Sequence, residues 1–197
     1  MLKFEFLSLK NQYYQSKQSV EEYIKLAEGV NGGELIARLK EFLPAQASLL
    51  EIGTGPGTDW KILKKDYEVV GSDNSKEFLE HLTTQNPPGR FIELDAITLN
   101  TDEKFDGIYS NKVLHHLTDE ELTDSIKRQA EVLNTKGIIC HSFWKGEGTE
   151  EFKGMFVNYH TESSLKKLFE KYFDVLVLEP YEEFEAGDSL LLIGRKK

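Results

Sequence analysis

Cysteine is nearly missing from this chain. Cys140 is the one thiol, which excludes an intrachain disulfide and a metal cage built from cysteines. Its setting, Gly137-Ile138-Ile139-Cys140, predicts a small buried residue rather than a nucleophile. Basic residues are also outnumbered: 24 Lys+Arg face 34 Asp+Glu, a formal charge of −10 over 197 residues. A polyanion is repelled by such a surface, and no block of Lys and Arg offsets it beyond the terminal Arg195-Lys196-Lys197, so no nucleic-acid partner is expected. Apolar runs long enough for a membrane span are lacking, and Met1-Leu2-Lys3-Phe4-Glu5-Phe6 carries charges where a signal peptide is apolar. The expectation is a cytoplasmic protein with no membrane partner. Repeats, low-complexity segments and linkers are absent too, and the length suits one domain with a sizeable core.

What is present centres on Leu49-Leu50-Glu51-Ile52-Gly53-Thr54-Gly55-Pro56-Gly57-Thr58-Asp59. A short apolar run that stops in a turn suits a strand buried on both faces. Glycines at alternate positions free the backbone for conformations closed to other residues and for close approach to a ligand. Trp60 to Lys65 then has helical spacing. Strand, glycine turn and helix open a nucleotide-type site, with backbone N–H groups expected to stand free at the helix start. The third glycine, Gly57, comes one residue early for a dinucleotide fingerprint, and no Lys-Ser/Thr pair closes the turn as in a P-loop.

Residues 1–46 read as a helical cap ahead of a core spanning 47–197. Ser19-Val20-Glu21-Glu22 predicts a capped helix running to about Ala27, with Gly29 as its stop. Leu35, Ile36, Leu39, Phe42 and Leu43 share one face of a second, ended by Pro44. The adjacent aromatics Tyr13 and Tyr14 suit either packing on that helix or a flap over a ligand. From Ser48 strands and helices alternate: strands end at Asp73, Asp95, Asn111 and Trp144, and Thr118-Asp119-Glu120-Glu121 caps a long helix. Alternation of this kind implies a parallel sheet covered on both sides. Lys145-Gly146-Glu147-Gly148-Thr149-Glu150 reads as a flexible acidic loop, in a stretch without clear pattern that reaches about Tyr159, and residues 145–158, with 11–18, read as mobile flanks of a pocket. The join from Glu179 to Asp188 is too short for a crossover helix, so the last two strands should pair antiparallel.

Leu50 to Asp59, Val69 to Ser75, Glu93-Leu94-Asp95-Ala96 and Phe105 through Leu117 resemble, in order and spacing, motifs I to IV of the class I S-adenosylmethionine-dependent methyltransferases. The resemblance covers about residues 35–197. It implies a Rossmann-like α/β fold: a seven-stranded, mostly parallel sheet with helices on both faces and only the last strand antiparallel. It implies S-adenosyl-L-methionine as cofactor, with Gly53, Gly55 and Gly57 near its methionyl part, Asp73 on the ribose, and Asp95 with Ala96 at the adenine. Glu51 would anchor the turn or reach the cofactor's amino group. Thr54, Asn74 and Asn111 lie within the matching stretches and complete the expected cofactor set, with Tyr14 as the aromatic that closes over it. Ser110-Asn111-Lys112-Val113-Leu114-His115-His116-Leu117 stands where members that methylate amides or base amines carry Asn/Asp-Pro-Pro-Tyr/Phe. This form resembles the branch acting on small metabolites.

His115 and His116 are candidate general bases for a hydroxyl acceptor, since a histidine titrates near neutrality; packing beneath the next helix is the structural alternative. Two adjacent histidines without an acid cluster make no metal site. Trp144 and Tyr159-His160 suit the walls of an acceptor pocket, or in the case of Trp144 the edge of the core. The expected protein is a monomeric or homodimeric methyltransferase of a small-molecule acceptor. Two rivals stand beside it: a non-catalytic protein that keeps the cofactor site, and a nicotinamide-dependent reductase whose Tyr-x-x-x-Lys pair would be Tyr13 and Lys17.

Overall fold

The computed structural model describes residues 16–152 and 154–197. Helices α1 (Lys17–Leu26) and α2 (Gly33–Leu39) precede strand β1 (Ser48–Ile52). Then come α3 (Thr58–Leu63), β2 (Glu68–Asp73), α4 (Lys76–Gln85), β3 (Arg90–Glu93) and β4 (Phe105–Ser110). A 3₁₀ turn at Leu114–His116 leads into α5 (Asp119–Val132) and β5 (Leu133–Trp144). The chain closes with β6 (Thr149–Phe152), β7 (Met155–Asn158), α6 (Glu162–Phe169), β8 (Phe173–Tyr181) and β9 (Ser189–Lys196).

Seven strands form one sheet in the order β3-β2-β1-β4-β5-β9-β8. The β1–β2, β1–β4, β2–β3 and β4–β5 pairs are parallel, whereas β9 runs against both β5 and β8. This is the expected Rossmann-like sheet, in which only the last strand is reversed. Alternation along the strands builds a core on each face. Leu50, Ile108, Ile139, Leu190 and Leu192 pack with Leu122 and Ile126 of α5 and Leu165 and Phe169 of α6. Leu49, Ile138, Cys140, Leu191 and Ile193 pack with Leu35, Ile36 and Leu39 of α2 and Leu63 of α3. Each such aliphatic side chain contributes roughly 1.5–3 kcal/mol on burial, so both faces must be covered.

Several boundaries differ from the sequence reading. Ser16, not Ser19, caps α1, accepting from the Ser19 N–H at 3.2 Å. The cap falls three residues early because Ser16, in extended conformation, accepts from that donor. Helix α2 ends at Leu39; Glu41 and Phe42 then bond back to Arg38 and Leu39, a tighter i→i−3 turn ahead of Pro44. Leu133 already belongs to β5, which follows α5 without a loop. The cap at Thr118 stands as read, with Thr118 and Glu121 satisfying each other.

The largest difference lies after β5. Instead of a structureless loop, β6 and β7 form an antiparallel hairpin. It is fixed to the core by Asn158, whose amide donates to Leu117 O at 3.2 Å and Asp119 Oδ1 at 2.9 Å. Two-residue alternation is weak in Thr149–Phe152, where acids occupy both faces, so periodicity hides the strand. Among the described residues no helix is long and apolar enough to cross a membrane.

Candidate active site

The carboxyl ends of β1, β2, β4 and β5 open into one cavity of about 450 Å³, roofed by Tyr23, Leu26 and Ala27 of α1. The order reverses between β1 and β4, the switch point at which open α/β sheets take ligands. Of the residues singled out in the sequence, Glu51, Gly53, Thr54, Gly55, Asp73, Asn74, Asp95, Ala96, Asn111 and His116 line the cavity. Gly57 and His115 do not, and Tyr13 and Tyr14 lie outside the described residues.

The glycine turn is more tightly bonded than the sequence suggests. Its N–H groups are not free: Thr54 donates to Ser72 O at 2.8 Å, Gly57 to Thr54 O at 2.9 Å, and Gly55 to Asp73 Oδ2 at 2.9 Å. The turn bonds to the end of β2 because the strands lie side by side, a tertiary contact that spacing does not reveal. Gly53 takes φ 68°, and a Cβ there would meet Val113 Cγ2 at 2.5 Å. Gly55 takes φ 51°, yet a Cβ there would find its nearest atom, Gly53 O, only at 4.0 Å. The first glycine is required by packing, while the second leaves room along the cavity wall. Gly57, at φ 81°, is the N-cap of α3 and packs on Leu82.

Acids dominate one end of the cavity. Burial drives Glu51 well above the usual carboxylate range, the Asp59 charge adds to this, the Thr54 hydroxyl at 3.1 Å opposes it, and Asp73 adds again. Burial likewise raises Asp73, against the N–H groups of Ser75, Gly55 and Asn74. Asp59 Oδ1 accepts from Gly32 N at 2.6 Å, and its Oδ2 from Tyr109 Oη at 2.7 Å and Asn111 Nδ2 at 3.1 Å. That carboxylate therefore ties α2's start to β4. Asp95 lies two residues past the end of β3, not on it, and its Oδ1 accepts from the N–H groups of Ile97 and Thr98.

The turn after β4 supplies a further part of the wall, with Asn111, Lys112, Val113 and His116. His116 Nδ1 donates to Phe156 O at 2.7 Å, which fixes the tautomer and leaves Nε2 for a ligand. Burial lowers His116 below the ordinary histidine range, with Phe156 resisting. His115 is buried beside it, ring centroids 4.1 Å apart, and its Nδ1 has no partner among the described residues. Burial, and then the neighbouring His116, Lys112 and His160, push it well down. Trp144 lines the cavity and stacks on Phe184, centroids 5.9 Å apart at 24°. Beneath the site, His141 is a satisfied core histidine, Nδ1 on Ser110 Oγ and Nε2 on Gln129 Oε1, each at 2.8 Å.

A family model described as a methyltransferase domain matches residues 49–137, the span that holds the glycine turn, Asp73, Asp95 and both histidines. The chain is 27% identical over 172 residues to an uncharacterized methyltransferase of Oceanobacillus iheyensis, covering 78% of each chain. It is 35% identical over 89 residues to the trans-aconitate 2-methyltransferase of Methylobacterium radiotolerans, covering 44% of this chain and 34% of that one. Its fold is similar to that of a Burkholderia thailandensis 1,6-didemethyltoxoflavin-N1-methyltransferase, with a TM-score of 0.77 and 20% identity over 100% of this chain and 87% of the other. Residues 49–137 thus match a methyltransferase domain, and the fold is that of S-adenosylmethionine-dependent methyltransferases.

The cofactor of this methyltransferase family carries a sulfonium and an ammonium. The cavity suits such a group: Glu51, Asp59, Asp73, Asp95 and Glu183 line it, against Lys112 as its one Lys or Arg among the described residues. The buried carboxyl of Glu51 has acids rather than a cation as its charged neighbours among the described residues. Sequence reading of the methyltransferase passed over Asp59, Lys112, Glu183 and Phe184. Asp59 sits inside the quoted glycine stretch, and its place in the first turn of the helix was the available signal. Lys112 follows Asn111 directly, but only its burial marks it out. Glu183 and Phe184 reach the cavity from the β8–β9 join, far away in sequence.

Proposed function

We propose that this enzyme transfers the methyl group of S-adenosylmethionine to a small-molecule acceptor. The observation that carries the reading is the cavity itself, which acids and a bare glycine line together with a histidine of fixed tautomer and aromatic side chains. Its volume of about 450 Å³ suits small ligands. The naming of the Methylobacterium relative for trans-aconitate supports a small acceptor.

Bound S-adenosylmethionine supplies a methyl group on a leaving group that is already activated. The chain's residues bind, align and protect. Asp73 would hold the ribose, Asp95 and Ala96 the adenine, and Glu51 and Asp59 would balance the cationic end. Asn74, Thr54 and Asn111 line the same wall. His116 Nε2 would take the acceptor's proton, Nδ1 being committed to Phe156 O. Positioning of this kind supplies on the order of 7–11 kcal/mol of barrier lowering.

A thermal-shift comparison of S-adenosylhomocysteine with NADH tests the cofactor. At one hundred times Kd the stabilisation is about 2.7 kcal/mol, or roughly 5–11 °C for a chain of this size. A shift with NADH and none with S-adenosylhomocysteine overturns the reading. Release of S-adenosylhomocysteine on incubation with fractionated small-molecule extracts tests turnover.

A further inference from the structure

Lys112 is placed in a way that neither fold nor cofactor demands. It has φ 53°, a left-handed conformation uncommon outside glycine, and such outliers persist where surroundings over-determine them. Here its N–H donates to Ser142 Oγ at 2.9 Å, and Ser142 donates in turn to Asn111 Oδ1 at 2.6 Å. The side chain is only 14% exposed, and its Nζ lies 3.4 Å from the centre of the Trp144 ring. Nζ donates to Ser189 Oγ and, at 3.5 Å, to Phe143 O. Glu183 Oε2 stands 3.8 Å away, beyond hydrogen-bond reach, and is itself held by Tyr181 Oη at 2.7 Å. An ammonium has three donors, and beyond Ser189 and Phe143 this one faces only the Trp144 ring and the distant Glu183 carboxylate.

We propose that Lys112 anchors the acceptor through an anionic group, and that the acceptor is a small planar acid rather than an amine. This rests on the methyltransferase reading above and names the acceptor class. Glu51, Asp59, Asp73 and Asp95 would repel an anion, which leaves Lys112, the one Lys or Arg of the lining among the described residues, as its place. The Trp144–Phe184 pair offers flat apolar surface beside that cation, fitting a ring or a conjugated chain. Burial lowers the Lys112 ammonium to about 8, with Glu183 and Asp188 opposing. A buried cation incompletely paired within its own chain gains from an incoming anion.

The test uses the enzyme saturated with S-adenosylhomocysteine and three probes of one shape: benzoate, benzamide and benzylamine. Calorimetry should show benzoate binding about tenfold or more tighter than benzamide, the worth of one charge-assisted hydrogen bond, and benzylamine weakest. Lys112→Met should bring benzoate to the level of benzamide, and Lys112→Arg should restore most of the preference. A second measurement needs no variant. Benzoate affinity should fall as pH rises through about 8 while benzamide affinity holds, as Lys112 loses its proton. The other groups facing Lys112 are His115 from its own turn, Tyr181 from β8, and Glu183 and Asp188 from the β8–β9 join. A wild type that prefers benzylamine, that fails to take benzoate, or whose preference survives Lys112→Met or is indifferent to pH overturns the proposal. Failure of the wild type to bind S-adenosylhomocysteine at all overturns the methyltransferase reading and this one with it. S-adenosylhomocysteine affinity within about threefold of wild type in both variants separates the two cases.

Discussion

Asp73 Oδ2 accepts the N–H of Gly55 at 2.9 Å, so the acid at the end of β2 and the glycine turn after β1 form one unit. Its other oxygen accepts from Ser75 N at 2.9 Å. Asp73→Ala should therefore act twice. Losing acceptors for two buried N–H groups should cost about 1–3 kcal/mol, a fall in melting temperature of roughly 2–12 °C. Affinity for S-adenosylhomocysteine should drop about ten- to a hundredfold. A lower melting temperature with unchanged affinity would show that Asp73 serves the turn alone.

Glu51 should couple cofactor binding to a proton. Burial, with the Asp59 and Asp73 charges, holds its carboxyl well above the ordinary range. The folded, ligand-free protein then binds more protons than the unfolded chain above the unfolded pKa of about 4.3. This contribution to stability is lost as pH rises from there toward the folded value. The melting-temperature difference between wild type and Glu51→Gln should thus move against the wild type as pH climbs. A cationic ligand favours the ionised form, so binding of S-adenosylmethionine, with its sulfonium and ammonium, should release up to about one proton. Calorimetry in buffers of different ionisation enthalpy measures this, and release unchanged in Glu51→Gln would assign the proton elsewhere.

The adjacent histidines should separate cleanly. His116→Gln should lower kcat by about 10²–10⁴-fold and leave S-adenosylhomocysteine affinity nearly unchanged. Because burial lowers its pKa, the wild-type rate should stay level through the usual histidine range and fall only at lower pH. His115→Leu should retain turnover. It removes a buried nitrogen without a partner, so the melting temperature should hold or rise. Equal loss of turnover in both variants, with both folded, would remove the distinction.

The two glycines of the turn also make opposite predictions. Gly53→Ala drives a Cβ to 2.5 Å from Val113 and should destabilise the protein. Gly55→Ala meets no clash and should cost only about 1–2 kcal/mol of left-handed strain. Its added methyl beside the cavity should instead weaken S-adenosylhomocysteine binding. Melting curves and calorimetry on the pair separate packing from ligand contact, and intact affinity in Gly55→Ala would place the cofactor elsewhere.

Where side-chain pattern dictates structure, the sequence was sufficient. Leu49 and Leu50 head opposite cores because successive strand residues face opposite ways, and a run apolar on both sides states this directly. Asp73 and the turn were legible for the same reason, as a strand end and a glycine cluster. The hairpin was not legible, because its fixings are the amide of Asn158 and the carbonyl of Phe156, and a carbonyl leaves no mark in sequence. The surroundings of Lys112 were hidden by distance along the chain. Lys112, Trp144 and Phe184 meet only when β9 brings the β8–β9 join alongside β5.

That insertion of β9 between β5 and β8 has a consequence for synthesis on the ribosome. The strand made before it, β8, cannot take its place against β5, because the slot between them belongs to residues not yet translated. Until Ser189–Lys196 emerges, β5 presents an open edge running through Ile138, Ile139 and Cys140, the kind of edge that recruits foreign strands. Nascent chains arrested before residue 189 should therefore be sticky and chaperone-bound, whereas the glycine turn and its β1–β2–β4 frame can already be in place.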